Sequence, residues 1–546
     1  MRTARRKKIG MVRALGAALF TLCFATVLIY HGRSSALAAG PAAWNAVLQG
    51  TVTNAEGRPM RGAVVTATMN NPAATVRQMS VSRYSDDAGR YRITGLEPGT
   101  YSLAATAWDH SQSEMEKAIA GTTEVNFTLK QQWSPFLIST STFISAYGQQ
   151  KGIRNIEATC TDCHNFSWIM RRYGSMNAEQ WANFIPNMSP RHLFVTPQLS
   201  AQERHDIGID LAKYFGPGVP LPTEKQVEHV AIGDAALRAT FRYFTPPTVN
   251  IAHSLSAAPD GKVWFTEFDN YANRLASFDP ETKRFHEYEL PAPKVMPHNP
   301  WAARNGMVWV SEAAVNKLAM LNPKTGKFTE FQAPAGTRSH TIREDHAGNI
   351  WVSDLGFPPI KNSYRFNPRT KKFTVYEIAG YDIAVDSHNN AYSGDFVRGT
   401  IDRADAETGT VKRYPIPGGA KYIRGIEVDT HDNVWFGDVL GHRLGMLNPR
   451  TGKFKFYTAP TPNLSIYGIV VNRKTGLLWI ADYLGASVDS FDPATGKWTI
   501  YPFPSRLQMI RFFALGSQGR IWFTDFTNGR IGYLQLGQRA MSAQKR

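Results

Sequence analysis

Val263-Trp264-Phe265-Thr266-Glu267 is one of seven related strands, and its recurrence decides the fold. A Trp or Tyr stands at positions 264, 309, 351, 392, 435, 479 and 522, at spacings of 45, 42, 41, 43, 44 and 43 residues. Apolar strands repeated at that interval predict seven four-stranded units, the pattern of a seven-bladed β-propeller. A turn follows in six units: Asp279-Pro280, Asn322-Pro323-Lys324-Thr325-Gly326, Asn367-Pro368, Asp405-Ala406-Glu407-Thr408-Gly409, Asn448-Pro449-Arg450-Thr451-Gly452 and Asp492-Pro493-Ala494-Thr495-Gly496. Pro presets φ and Gly supplies a positive φ, as tight hairpins require. The last unit lacks this turn and an outer strand, whereas Thr240-Phe241-Arg242-Tyr243-Phe244-Thr245-Pro246 reads as an orphan outer strand. Exchange of that strand between the chain ends is expected to close a ring over residues 225–537 and to remove two sheet edges.

Two positional series run through the repeat. Eleven residues before each anchor, or twelve before Trp479, stand His253, His298, His340, Tyr381, Arg424, Tyr467 and Arg511. Three residues after each anchor stand Glu267, Glu312, Asp354, Asp395, Asp438, Asp482 and Asp525. Equivalent positions of a ring lie on circles about its axis, so the first series predicts a polar ring at one mouth and the second an acidic ring nearby. His, Tyr, Arg and carboxylates together suit an anionic or hydrogen-bonding small-molecule ligand and acid–base chemistry. An acid in every unit reads mainly as a structural device, with five or more of the seven binding backbone N–H groups between blades. The first series varies and is expected to carry the specificity.

The chain as a whole has 546 residues, 43% apolar and 19% charged, enough for several packed domains. Three cysteines exclude a disulfide framework. The net charge of +17 includes seven Lys/Arg and no acid in the first 38 residues, and the remaining 54 basic residues exceed the 44 acidic ones by ten. So thin a surplus argues against nucleic acid as a partner. Residues 1–38 read as a signal peptide, with Arg5, Arg6, Lys7, Lys8 and Arg13, an apolar run from Ala14 to Tyr30, and Ala36-Leu37-Ala38 as the cleavage site. The alternative is an uncleaved membrane anchor. Both place the rest in the periplasm or otherwise outside the cytoplasm. Residues 46–130 alternate in period two between Gly, Pro and Asp turns, as in Leu48-Gln49-Gly50-Thr51-Val52 and Ala63-Val64-Val65-Thr66-Ala67, which predicts an antiparallel sandwich. These phrases resemble the carboxypeptidase regulatory-like domain, and the resemblance implies a transthyretin-like, seven-stranded, non-catalytic module.

Cys160-Thr161-Asp162-Cys163-His164 is a C-x-x-C-H run, the spacing that lets two thiols add to one haem while the next His takes an axial position. An exported chain is where covalent haem c is attached. Leu199-Ser200-Ala201-Gln202-Glu203-Arg204 opens a helix with a Ser N-cap and Glu three residues on. Around these motifs, residues 135–217 resemble a small α-helical class I cytochrome c domain. The resemblance implies a second axial ligand from the loop before the last helix, where Met188 is the choice and His192 the rival.

Trp264-Phe265-Thr266-Glu267 and Thr325-Gly326-Lys327-Phe328-Thr329-Glu330-Phe331 resemble virginiamycin B lyase, the streptogramin-linearising family. That resemblance implies a His on an inner strand and a Glu after the anchor, with Mg²⁺, opening an ester-linked ring by elimination. His298 with Glu312 and His253 with Glu267 are the matching pairs; Asn299-Pro300 follows His298 where the family usually has Gly-Ile. The expected fold is therefore mainly β, a seven-bladed propeller plus a sandwich and a small cytochrome c domain. The expected function is an exported c-type haem protein, an oxidoreductase component exchanging electrons with a periplasmic donor or acceptor. The alternatives are a streptogramin lyase-like C–O lyase and a non-catalytic ligand- or polymer-binding redox module.

Overall fold

The computed structural model describes residues 44–70, 76–161, 165–188, 199–248, 251–268, 273–354, 362–395, 397–420 and 422–537. The expected signal peptide, Cys163, His164 and His192 lie outside the described residues. Among the described residues no helix is long and apolar enough to cross a membrane.

Eight strands form the N-terminal sandwich: β1 (Ala46–Asn54), β2 (Val64–Asn70), β3 (Gln78–Tyr84), β4 (Arg90–Leu96), β5 (Gly99–Ala107), β6 (His110–Ile119), β7 (Thr122–Glu124) and β8 (Phe127–Leu129). One sheet runs β4-β1-β7 with β8 also on β1, and the other contains β3-β2-β5-β6. The period-two pattern turns Leu48, Val65, Ala67, Val81, Ile93, Leu103 and Phe127 into one core.

Seven four-stranded antiparallel sheets follow, six of them continuous in sequence. Their first strands touch in sequence order, and the seventh, Ile510–Leu515, touches the first, Ala252–Ala257, so the sheets close a propeller-like ring. The second strand of each sheet is covered on both faces; every residue of Val263–Glu267, Val308–Glu312, Val434–Asp438 and Leu478–Asp482 is buried. Hairpin geometry follows the turn chemistry. Asn322 Oδ1 accepts from Lys324 N at 3.0 Å and Gly326 takes φ 70°. Where the Gly is absent, Lys283 and Lys371 occupy the left-handed position instead.

The orphan strand β9 (Thr240–Thr245) completes the seventh sheet by pairing with Arg530–Gln535. Its other edge pairs with β3 from Gln78↔Thr245 to Arg83↔Thr240. Sandwich and seventh blade therefore share one eight-stranded sheet, which the sequence did not suggest.

Among the described residues six α-helices lie between β8 and β9: α1 (Thr140–Ser145), α2 (Lys151–Cys160), α3 (Ser167–Met170), α4 (Ala178–Met188), α5 (Ala201–Phe215) and α6 (Asp234–Leu237). The expected capping box is present: Ser200 Oγ accepts from Glu203 N at 3.2 Å and Glu203 Oε2 accepts from Ser200 N at 2.7 Å. Phe143, Ile153, Ile156, Phe166, Met170, Trp181, Leu211 and Phe215 form the core of this segment. The structure corrects one expectation: Met188 ends α4 rather than standing in a loop. Trp181, Phe184 and Ile185 belong to the segment's apolar cluster, and this packing carries the helix past Pro186.

Tyr243 faces Gly532 on one side and Ser80 on the other, buried in the middle of the shared sheet. Tyr243→Pro removes a ladder N–H there and is expected to lower the unfolding midpoint. Thermal unfolding followed by circular dichroism checks this; an unchanged midpoint would show that β9 does not join the two bodies.

Candidate functional site

The seven variable residues meet at the centre of the ring. Ring centroids lie 4.1 Å apart for His253–His298, 3.7 Å for His298–His340 and 4.1 Å for His340–Tyr381. Tyr381 and Tyr467 join through their hydroxyls. Arg424 lies over both rings, at 4.2 and 4.6 Å, and Arg511 lies over Tyr467 at 5.3 Å. Arg511 Nη1 reaches His253 Nε2 at 3.3 Å and closes the belt. All seven side chains are buried, from 0% exposed for His340 to 5% for Arg511.

Local backbone geometry aims these side chains inward. In blades one, two, five, six and seven the register shifts at or beside the belt residue, as between Ala252 and Leu255 or Pro297 and Pro300. A bulge there turns a side chain that would otherwise follow the pleat. In blades three and four the strands begin only at Ile342 and Ile383, two residues past His340 and Tyr381.

A hydroxyl two residues after the anchor ties neighbouring blades together. Thr266 Oγ1 donates to His298 O at 2.8 Å, Ser311 Oγ to His340 O, Ser353 Oγ to Tyr381 O at 3.1 Å and Thr524 Oγ1 to His253 O at 2.8 Å. Three of these hydroxyls also accept from the inner strand of their own blade, from Ser254 N, Asn299 N and Thr341 N. One hydroxyl thus satisfies both a donor freed near the bulge and the next blade's carbonyl. Sequence reasoning missed this series, although Thr266, Ser311, Ser353 and Thr524 recur at a fixed offset.

The belt imidazoles are uncharged. His340 Nδ1 lies 2.7 Å from Tyr381 O, and a carbonyl only accepts, so the proton is on Nδ1. A guanidinium only donates, so His253 Nε2 carries a lone pair and Nδ1 faces Ser254 Oγ at 2.8 Å. Burial, with His340 and His253 beside it, lowers His298 well below the usual imidazole range, and burial lowers His340 to about 3.

The acidic series divides by side-chain length. Asp395 accepts from Val397 N and Arg398 N, Asp438 from Gly441 N, Asp482 from Ser465 N and Gly485 N, and Asp525 from Asn528 N. Asp354 accepts from Gly380 N. The five aspartates are structural, but four of them act within their own blade rather than between blades, because the short carboxylate reaches only the adjoining loops. Asp438 and Asp525 also hold Arg443 and Arg530 at 2.7 and 2.8 Å.

The two glutamates behave differently. Register places Glu267 opposite Ala252 and Glu312 opposite Pro297, one residue from His253 and His298 respectively. Both are fully buried. Neither oxygen of Glu312 has a hydrogen-bond partner, so no hydrogen bond joins it to His298. Burial and the adjacent Glu330 push its carboxyl up to about 8, against the pull of Lys317, which bonds Glu330 at 2.8 Å. Among the described residues no three His, Cys, Asp or Glu side chains converge on a metal position.

The helical segment is seated on this same rim. Ser141 N donates to Leu484 O at 3.0 Å, Asn463 Nδ2 to Ser141 O at 3.0 Å and Asn165 Nδ2 to Leu507 O at 2.6 Å. Arg154 of α2 reaches Asn463 Oδ1 and His442 Nε2, both at 2.8 Å. Half-buried Cys160 ends α2. Next to it, Thr161 Oγ1 accepts from Tyr483 Oη at 3.4 Å, and Tyr483 packs edge-on against belt residue Tyr467 at 5.2 Å.

The carboxypeptidase regulatory-like domain family matches residues 47–130, the sandwich. No curated protein matches the chain. A solved streptogramin B lyase structure is similar, with 24% identity, 56% of this chain and 100% of that chain covered, and a TM-score of 0.51. Virginiamycin B lyase from Staphylococcus aureus is 22% identical over 55% of this chain and 99% of its own, with a TM-score of 0.49. The first likeness establishes the propeller-like fold of the ring and nothing of its chemistry.

Because the carboxyl of Glu312 sits above its ordinary value of 4.5, the folded state binds the extra proton between about 4.5 and 8. Its ionisation therefore removes stability as pH rises through that window. Glu312→Gln is expected to match the wild type near pH 5 and to exceed it by roughly 2 kcal/mol at pH 9. Paired denaturant titrations at the two pH values check the sign.

Proposed function

We propose that the central belt is an acid–base site for a small anionic or hydrogen-bonding ligand, lyase-like in its equipment. The observation that carries this reading is the uncharged His253–His298–His340 row set among Arg424 and Arg511. His298 Nδ1 is buried without a partner and accepts a proton. In a C–O elimination the substrate C–H proton passes to His298, its electron pair forms the new double bond, and the carboxylate leaves with the C–O electrons. The guanidiniums favour the negative charge that develops. Glu312, whose buried oxygens meet no hydrogen-bond geometry and lie near Lys317 and Glu330, is the residue that would hold Mg²⁺. Bound there, Mg²⁺ supplies Lewis-acid polarisation of the substrate. His253 with Glu267 is the second pair of the same kind.

A second reading is favoured by the helical segment: an exported c-type haem domain, with Cys160, Cys163 and His164 attaching and ligating the haem and Met188 as the further ligand. The segment leaves Phe136, Leu137, Trp168 and Ile209 between 42% and 52% exposed, apolar side chains of the kind that cover a haem. The haem supplies one-electron chemistry. The Thr161–Tyr483–Tyr467 contact beside Cys160 supports this reading, in which an electron partner in the periplasm and a ligand at the mouth are linked through the belt.

Two variants separate the readings. His298→Ala is expected to lower turnover of a streptogramin B ester by about 10²- to 10⁴-fold with an unchanged haem spectrum. Absence of turnover by the wild type would overturn the lyase reading. Cys160→Ala with Cys163→Ala is expected to abolish the pyridine haemochrome signal of protein matured with the cytochrome c machinery. No covalent haem in the wild type would overturn the haem reading.

A further inference from the structure

The sixth blade departs from its neighbours beside its acid. In blades two, five and seven the first residue of the third strand is Lys317, Arg443 or Arg530, each a cation beside the acid that ends the second strand. In blade six that residue is Ser487, and two residues on stands a second acid, Asp489. Blade four has the similar Thr400–Asp402 pair, but Arg398 bonds Asp395 at 2.6 Å and Arg413 lies 3.5 Å from Asp402. Among the described residues no Lys, Arg or His forms an ion pair with Asp482 or Asp489.

Asp482, Asp489 and Ser465 are 0% exposed and Ser487 is 1% exposed. Asp482 Oδ1 accepts from Ser465 N and Gly485 N, both at 3.0 Å. Its Oδ2, both Asp489 oxygens, Ser487 Oγ and Ser465 Oγ are buried without a hydrogen-bond partner. A Cβ on Gly485 would collide with Asp482 Oδ2, so the glycine keeps that oxygen open. Gly485 and Ser487 also line a cleft with Thr142, Thr461, His229 and Arg506.

We infer that Asp482, Asp489, Ser487 and Ser465 form a site for a hard divalent cation, and the oxygen-only donor set selects Ca²⁺. Two carboxylates balance its charge, and the hydroxyls complete an oxygen shell of the kind Ca²⁺ accepts. The turn from Asp482 to Ser487 carries Tyr483 and Leu484, which hold Thr161 and Ser141 of the helical segment. A cation at this site therefore fixes the turn on which that segment is seated. The site is separate from the belt and from Glu312.

The test uses the full chain stripped with a chelator, so it depends on neither haem nor turnover. CaCl₂ at a hundredfold excess over its Kd is expected to raise the melting temperature by roughly 2–5 °C. MgCl₂ is expected to do less, because Mg²⁺ sheds its waters reluctantly. Asp489→Asn is expected to fold, since it replaces a buried acid with a neutral isostere, and to lose the Ca²⁺ response. Tb³⁺ emission excited through Trp479 and Tyr483, displaced by Ca²⁺, gives a second readout, and Ser487→Ala a second variant with at least tenfold weaker displacement. An equal Ca²⁺ shift in Asp489→Asn, or no Ca²⁺-displaceable Tb³⁺ emission from the wild type, would overturn the proposal.

Discussion

The strand Thr240–Thr245 constrains everything around it, because both of its edges are used. On one side it completes the seventh blade, and on the other it extends the sandwich. A strand hydrogen-bonded on both edges offers no template for foreign pairing. It also fixes where the helices can go. Their segment connects Leu129, on the sandwich's other sheet, to Thr240, so one end is tethered to the sandwich and the other to the shared sheet. Seating on the rim of blades five to seven, through Asn463, Leu484 and Leu507, follows from that tether as much as from the contacts themselves.

At the centre, the physical problem is to turn seven polar side chains inward without stranding backbone groups. Bulges aim the side chains but interrupt the ladder. The hydroxyls of Thr266, Ser311, Ser353 and Thr524 repair the interruption and bind the next blade in the same step. In blades four and five the equivalent residues are Gly394 and Gly437, where a Cβ would strike Ile423 or Ile466 of the next blade. Close packing there replaces the hydroxyl. The ring is thus held by two devices, a polar clamp in blades one, two, three and seven and direct apolar contact in blades four and five.

The repeat was legible because each blade needs one large anchor in a doubly covered strand, and Trp or Tyr at that position leaves a countable period. The belt was legible for the same reason, since a fixed offset from the anchor is a fixed place on a circle. The partners of Thr240–Thr245 were only half legible: its pattern specifies a strand, but a strand edge does not name which sheet it joins. Met188 was expected in a loop, whereas the packing of Trp181, Phe184 and Ile185 outweighs the donor that Pro186 lacks and carries α4 to Met188. The distinction between Asp and Glu in the acidic series was visible as residue type. It acquired meaning only with geometry, since aspartate reaches the neighbouring loop N–H groups and Glu312 does not.

The belt and the rim carboxylates answer to the same burial with opposite consequences. Desolvation disfavours the charged form, so buried imidazoles lose their proton and buried carboxyls keep theirs. His298 and His340 are accordingly neutral bases, and Glu312 and Asp489 are held toward the neutral acid. Three imidazoles in edge contact could not all be charged in any case, and Arg424 and Arg511 add to the cost. The permanent positive charge of the belt therefore resides on guanidiniums, which do not titrate, while its proton-accepting capacity resides on imidazoles that burial has emptied. An anion entering this centre meets a field that does not change across the neutral range, and by its own charge it makes the adjacent imidazoles better bases.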